Sequence, residues 1–224
     1  MRLIEGLAEV LFPTRCAGCE MPGAVLCDRC RDDLPRVELA GACLRCGAPF
    51  GYLVCTECWS REWAFEAALA VGSLEAPLAR AVVLHKDAGE RRLAAVFGVL
   101  LAEQVASAWP GWAERVAYVP ATTAALRRRG FDHGRAIAVS LAAELGVPVA
   151  DALRRTAARD QRALGRAERA ANAAGTFLVV GEVSDRVLLC DDVFTTVATL
   201  DAAAAVLLSA GAEAVRVAAV ARAW

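Results

Sequence analysis

The sequence has little lysine, little histidine and almost no net charge. Lys86 is the only lysine, the histidines are His85 and His133, and 25 basic residues against 26 acidic ones leave a formal net charge of −1. A near-neutral chain has no bulk attraction for nucleic acid or an anionic membrane, which leaves room only for a local basic patch. No run of about 18 apolar residues is free of charge, so no membrane span is expected. The opening MRLIEGLAEVLF carries Glu5 and Glu9 and lacks the unbroken apolar core of a signal peptide. It reads instead as a short amphipathic helix packed on the body. These absences point to a cytoplasmic protein. A chain that favours arginine yet keeps one lysine either needs a compact ammonium at that place or retains it by chance under a compositional bias.

Apolar residues are plentiful, at 57% with 23% charged over 224 residues. That is enough for a packed core and for one medium domain plus a small module. Cysteine is distributed unevenly: eight of the nine lie between Cys16 and Cys58, and the ninth is Cys190. The composition then turns to Ala, Val, Leu and Arg. We place the boundary near Ser60 to Phe65, which gives a module over 1–62 and a larger domain over 63–224.

The cysteine segment is internally repeated. CAGCEMPGAVLCDRC (Cys16–Cys30) resembles CLRCGAPFGYLVCTEC (Cys43–Cys58), and each unit holds two C-x-x-C pairs. Such a pair presents two thiolates to one ion, and two pairs complete a tetrahedral all-sulfur site. Disulfides are rare inside cells, so zinc is favoured over bridges; iron–sulfur or redox use is the alternative. Eight thiolates suit two structural Zn²⁺ ions. The repeat assigns Cys16, Cys19, Cys27 and Cys30 to one and Cys43, Cys46, Cys55 and Cys58 to the other, with interleaved pairing as the other arrangement. A module this small would draw its folding energy from the metal, about 10–16 kcal/mol in zinc-finger peptides.

Beyond the boundary, strand and helix patterns alternate, which favours a parallel sheet flanked by helices. Strands are expected at Ala67–Leu74, Arg115–Val119, Thr176–Val180, Arg186–Cys190 and Glu213–Val220. Helices are expected at Pro77–His85, Arg91–Ala108, Asp132–Leu145 and Thr199–Ala210. Arg154 to Asn172, polar and arginine-rich, reads as a mobile loop. Trp59, Trp63, Trp109 and Trp112 read as packing groups.

The most informative stretch is VLLCDDVFTTVATL, Val187 to Leu200. An apolar strand runs into Asp191 and Asp192, and a threonine-rich loop then opens a helix. Open α/β sheets bind ligands at the carboxyl ends of their strands, and a helix N-terminus favours an anion. Thr195, Thr196 and Thr199 add hydroxyls, and the carboxylates suit sugar hydroxyls or Mg²⁺. The plainer alternative is a pair of solvated acids at a strand end.

This segment resembles the PRPP-binding motif of type I phosphoribosyltransferases, commonly DDVxTTGAT. Together with the tandem cysteine pairs, HKDAGERRLA (His85–Ala94), VPATTAALRRRGFDHGRAIA (Val119–Ala138) and RTAARDQRALGRAERAAN (Arg155–Asn172), nearly the whole chain is similar to the ComF/GntX-like family. The resemblance implies an α/β, type I phosphoribosyltransferase-like domain with a mainly parallel sheet, preceded by a zinc-ribbon module. It implies that Asp191 and Asp192 hold the ribose hydroxyls and that Thr195, Thr196, Val197, Ala198 and Thr199 hold the 5′-phosphate. Mg²⁺ would accompany the ligand. Lys86 falls on the family's Lys-x-x-Gly segment, where it could reach a phosphate. Arg129, at the end of the Arg127–Arg129 run, could reach pyrophosphate; Arg155, Gln161, Arg169 and Asn172 match a segment that could close over the ligand. The implied function is binding of PRPP or a related phosphorylated ribose, linked in some members to competence and DNA uptake. The alternative is a non-catalytic accessory, either a ribose-phosphate sensor or a partner of single-stranded DNA or competence proteins. Two departures stand out. Val197 replaces a family glycine, and a stiff β-branched residue disfavours positive φ. VPATTAALRRRG stands where the family tends to read VPVPLHxxR.

Overall fold

The computed structural model describes residues 13–50, 52–156, 176–181, 183, 185–195 and 197–223. Five strands form one sheet: β1 (Ala67–Ser73), β2 (Arg115–Tyr118), β3 (Val149–Ala150), β6 (Arg186–Phe194) and β7 (Ala214–Arg222), in the order β1-β7-β6-β2-β3. Every neighbouring pair is parallel. β4 (Leu153–Arg155) and β5 (Phe177–Val179) form a separate antiparallel pair. The central strands RVLLCDDVF and AVRVAAVAR carry the apolar runs VLLC and VAAVA because both of their faces are covered there, as a parallel sheet requires.

Helices α3 (Leu78–Lys86), α4 (Leu93–Ala108) and α6 (His133–Leu145) cover one face, where Phe97, Leu101, Ile137 and Leu141 meet Val71, Val116 and Leu188. Helix α7 (Val197–Ser209) covers the other, where Leu200, Ala203 and Leu207 meet Val187, Leu189 and Val217. Short helices α1 (Asp28–Asp32) and α2 (Thr56–Trp59) lie in the cysteine module, and α5 (Thr123–Arg129) follows β2. Among the described residues, no helix is long and apolar enough to cross a membrane.

Most expected elements are present, with ends shifted by a residue or two. The strand expected to stop at Cys190 runs on to Phe194, because β7 continues beside it as far as the pairing Phe194↔Arg222. The acidic pair therefore lies within a strand and not in the loop after it. Arg154 and Arg155, read as the start of a mobile loop, lie in β4, and Thr156 follows them with its amide on Thr176 O; residues 157–172, with Gln161, Arg169 and Asn172, lie outside the described residues. Trp63 lies parallel to Phe65 in an offset stack, and Trp109 and Trp112 flank the Arg216 guanidinium. Trp59 does not pack as expected: it is 80% exposed.

The cysteine module joins both cores. Ala17 and Leu34 belong to the core under α4, whereas Cys43, Cys46 and Cys58 belong to the core under α7. The segment between the two cysteine units runs along the open edge of β1. Val37 donates to Val71 O at 3.0 Å, and Ser73 donates to Pro35 O at 2.8 Å. The module thus closes an edge that would otherwise offer unpaired backbone groups.

This contact makes Gly72 a tight position: a Cβ there would sit 2.5 Å from Pro35 O, whereas one on Gly41 would meet nothing within 4 Å. Gly72→Ala should therefore cost about 1–3 kcal/mol, the usual range for overpacking. For a chain of this size the loss should appear as roughly 2–10 °C in Tm. Gly41→Ala should leave the melting curve where it is.

Candidate functional site

Two all-cysteine clusters are assembled as the repeat predicts. Cys16, Cys19, Cys27 and Cys30 bring their sulfurs within 4.8 Å of one another, as do Cys43, Cys46, Cys55 and Cys58. Closest contacts of 3.6 Å (Cys16–Cys27 and Cys46–Cys55) and 3.7 Å (Cys19–Cys27) lie far outside disulfide length. They match the edge of a tetrahedron of about 3.8 Å that follows from Zn–S bonds near 2.3 Å. Four thiols this close cannot all ionise without a cation. Burial raises Cys16 and Cys43, but backbone amides outweigh it and bring them down to about 6 and about 7. Burial and neighbouring thiols push Cys30 up to about 12 and Cys58 to about 11. A divalent ion lets all four ionise. With every ligand position filled by protein sulfur, both clusters could hold structural zinc.

Around the second cluster, the Trp63 indole Nε1–H donates to Cys58 Sγ at 3.1 Å and the Cys55 amide to Cys43 Sγ at 3.3 Å. The second cluster is more deeply set: Cys58 is fully buried, whereas Cys19 of the first is exposed.

The other candidate site lies between β2 and β6. The chain leaves β2 over one sheet face through α5 and α6, and leaves β6 over the other through α7. The two connections diverge, and a crevice opens outside the strands' carboxyl ends, which is where open α/β sheets bind ligands. A cavity of about 390 Å³ occupies this place. Val119, Pro120, Ala121 and Thr122 after β2 form one side, Asp191, Asp192, Val193 and Thr195 form the other, and Thr199 and Leu200 of α7 contribute to the wall. Lys86, Arg128, Arg129, His133 and Arg155 also line it.

The acids stand here because β6 outlasts its neighbour. Its pairing with β2 ends at Tyr118↔Cys190, whereas its pairing with β7 continues to Phe194. Asp192 is 2% exposed. The Lys86 ammonium lies 2.7 Å from its Oδ2, and His133 Nε2 lies 3.5 Å from the same oxygen. Burial alone would raise Asp192, but His133 and Lys86 together prevail and hold it well below the usual carboxylate range. Among the described residues no group meets this buried oxygen in hydrogen-bonding geometry; the ammonium and the imidazole meet it as charges. Asp191 is pushed the other way, by burial and by the Asp192 charge. The pair thus joins a firmly ionised carboxylate to one that tends to keep its proton.

The surrounding residues hold this arrangement. Arg129 donates to Asp87 Oδ1 at 2.8 Å and to His133 Nδ1 at 3.3 Å. With Nδ1 accepting, the imidazole proton sits on Nε2, facing Asp192. Asp132 caps α6 through the Arg135 amide at 3.1 Å and takes the Ala121 amide at 2.9 Å, which ties the loop after β2 to that helix. Across the cavity, the buried Arg222 donates to Phe194 O at 2.9 Å and Thr195 O at 3.0 Å, and lies 4.2 Å over the Phe194 ring. The loop expected to hold phosphate is thus clamped at its first residues by an arginine that motif reading missed. Its isolation at the end of an apolar strand, AVRVAAVAR, was the available signal.

The structure brings Lys86, Arg129, Asp191, Asp192, Thr195 and Thr199 to one cavity. Ala198 is exposed and does not line it, and Thr196 lies outside the described residues. Val197 begins α7 and buries its side chain in the core beneath that helix, so it does not fill the cavity. Lys86, expected to reach a phosphate, spends its charge on Asp192. His133, Arg128 and Arg155 also line the cavity; motif reading gave His133 no role.

His133, Asp191 and Asp192 place one ligand atom each within 4.8 Å of one another. Mg²⁺, however, prefers six oxygens at about 2.0–2.1 Å, and here one of three donors is nitrogen. The ammonium already sits against the carboxylate oxygen such an ion would need. At about 4 Å, repulsion near a protein surface costs on the order of 4 kcal/mol per pair of unit charges. The donor set does not fit Mg²⁺ held by the carboxylates.

No protein-family model and no curated protein matches the chain. Among solved structures, the adenine phosphoribosyltransferase of Leishmania tarentolae is similar, with a TM-score of 0.39 and 14% identity over 62% of this chain and 74% of that one. The site therefore rests on its own geometry.

The contact from Trp63 gives a test of the metal centre. Partners that orient a ligand atom typically contribute about 10- to 100-fold in metal affinity. Trp63→Phe should release one of two bound zinc ions more readily by about that factor, as read by competition with a chromogenic chelator. The other ion should be released as in the unaltered protein.

Proposed function

We propose that the crevice between β2 and β6 binds a phosphorylated ribose, PRPP or a close relative, and that the chain acts as a phosphoribosyltransferase-like protein of the ComF/GntX kind. The observation that supports this best is the meeting, in one cavity, of the Asp191–Asp192 pair and several cationic side chains. A vicinal diol suits the first, since each hydroxyl can donate to a carboxylate. Phosphate suits the second, because guanidinium groups match phosphate oxygens in pairs. Asp191 and Asp192 take the ribose hydroxyls in this reading. Thr195, Thr199 and the start of α7 take the 5′-phosphate. Arg128 and Arg155, which line the cavity, take the pyrophosphate end.

Arg129 has a different role. Its guanidinium is committed to Asp87 and His133, so it positions the imidazole. Where Mg²⁺ enters, it travels on the ligand's own phosphates. In a transfer reaction the acceptor's lone pair attacks C1′ as the C1′–O bond breaks, and that electron pair leaves with pyrophosphate. Developing negative charge on the leaving group falls among the arginines.

Calorimetric titration with ribose 5-phosphate, and with PRPP plus Mg²⁺, tests this reading. Hydrogen bonds to charged groups are worth about 1.5–3 kcal/mol. Asp192→Asn should therefore weaken binding by about 10- to 100-fold, and the Asp191→Asn/Asp192→Asn pair should abolish it. Absence of binding in the unaltered protein, together with salt-dependent affinity for single-stranded oligonucleotides, would replace this reading with the DNA-uptake accessory.

A further inference from the structure

The single lysine of the chain is placed where a metal would otherwise be expected. Its helix, α3, ends at Lys86 and carries the ammonium to 2.7 Å from Asp192 Oδ2, with His133 Nε2 at 3.5 Å from the same oxygen. The side chain of Asp192 is 4% exposed and that of Lys86 30%. The cation is thus reachable from the cavity, while the carboxylate it neutralises is not open to bulk water. Three constraints keep Lys86 in place. The fully buried His85 precedes it in α3, with Nδ1 3.1 Å from Glu90 O and Nε2 3.4 Å from His133 O. His133 is fixed from behind by Arg129. Asp87, the next residue, is held by Arg129 at 2.8 Å. An arginine here would spread its charge over a wider planar fork, whereas an ammonium acts as a point charge, as a metal ion does.

We propose that Lys86 is the resident cation of the acidic pair, so that divalent metal is kept off Asp191 and Asp192 and the ribose moiety binds without a metal ion ligated by this chain. The proposal rests on the phosphorylated-ribose reading for its ligand, but not for its charge chemistry. Lys86 is a positioning residue here: it acts on the ligand by fixing the charge and direction of Asp192. Removing it should vacate a site with one imidazole and two carboxylate donors, a set that suits Mn²⁺ and other transition ions better than Mg²⁺.

The test uses the zinc-loaded full chain without chelator, and follows free Mn²⁺ by electron paramagnetic resonance. The unaltered protein should retain no Mn²⁺ at the acidic pair up to about millimolar concentration. Lys86→Met should gain one Mn²⁺ equivalent at least about tenfold tighter, and Asp192→Asn in that background should lose it. Lys86→Arg, which keeps the charge, should stay metal-free, and thermal melts of each variant check that it is folded. In a second arm, ribose 5-phosphate should bind the unaltered protein with an affinity that Mg²⁺ changes by less than about twofold. The proposal is overturned if the unaltered protein binds one Mn²⁺ that Asp192→Asn removes, if folded Lys86→Met takes up no more Mn²⁺ than the unaltered protein, or if Mg²⁺ tightens ribose 5-phosphate binding tenfold or more. Should ribose 5-phosphate fail to bind with or without Mg²⁺, the ligand reading falls while the manganese arm still decides the role of Lys86.

Discussion

The cavity depends on an inequality between two neighbouring strands. β6 and β7 pair to Phe194↔Arg222, but β2 leaves β6 at Cys190. From Asp191 onward, β6 has a partner on one side only. On the other side the chain after β2 is drawn toward α6 by Asp132, which accepts amides from both Ala121 and Arg135. Had β2 continued, the backbone of β6 at Asp191 and Asp192 would be paired on both sides and the crevice between the two strands would be closed. The same geometry explains why Asp192 is both buried and ionised: Lys86 and His133 come from α3 and the start of α6, on one sheet face, and close over it.

Much of this was legible in sequence because it depends on local spacing. Two C-x-x-C pairs per unit can converge on one ion without reference to the rest of the chain, and the clusters form as spaced. Alternation of apolar strands and periodic helices gave the parallel sheet. The acid–threonine stretch marked one wall of the cavity. What could not be read was long-range. The continuation of β6 through its acids depends on β7, a strand more than twenty residues later. The commitment of Lys86 to Asp192 spans more than a hundred residues and has no motif. Arg222 clamps the loop from the far end of the chain, and its role follows only from the closeness of two carbonyls.

Val197 shows how a residue read locally can meet a different setting in the fold. Stiffness at χ1 and aversion to positive φ are real properties of valine. They would matter if the residue lay in a loop wrapped around phosphate. Here it is the first residue of α7, with its side chain turned into the core among residues such as Leu200 and Phe194. Helical φ suits a β-branched residue, and its departure from glycine alters packing beneath the helix while the cavity stays open. Any change in anion affinity would then arise from how α7 is seated.

That seating links the metal module to the crevice. Cys58 is bonded by Trp63, which stacks with Phe65 at 6.3 Å between ring centres, and Phe65 meets Phe194 edge-on at 6.4 Å. Phe194 in turn lies under Arg222, whose guanidinium fixes Thr195 O at the cavity rim. Contiguity of this kind is not itself energetic coupling. It does establish that the second cysteine cluster and the rim share one apolar core, which also contains Val197 and Leu200. A metal held at that cluster would fix Cys58, the sulfur that Trp63 bonds, inside the same core on which the first turn of α7 rests.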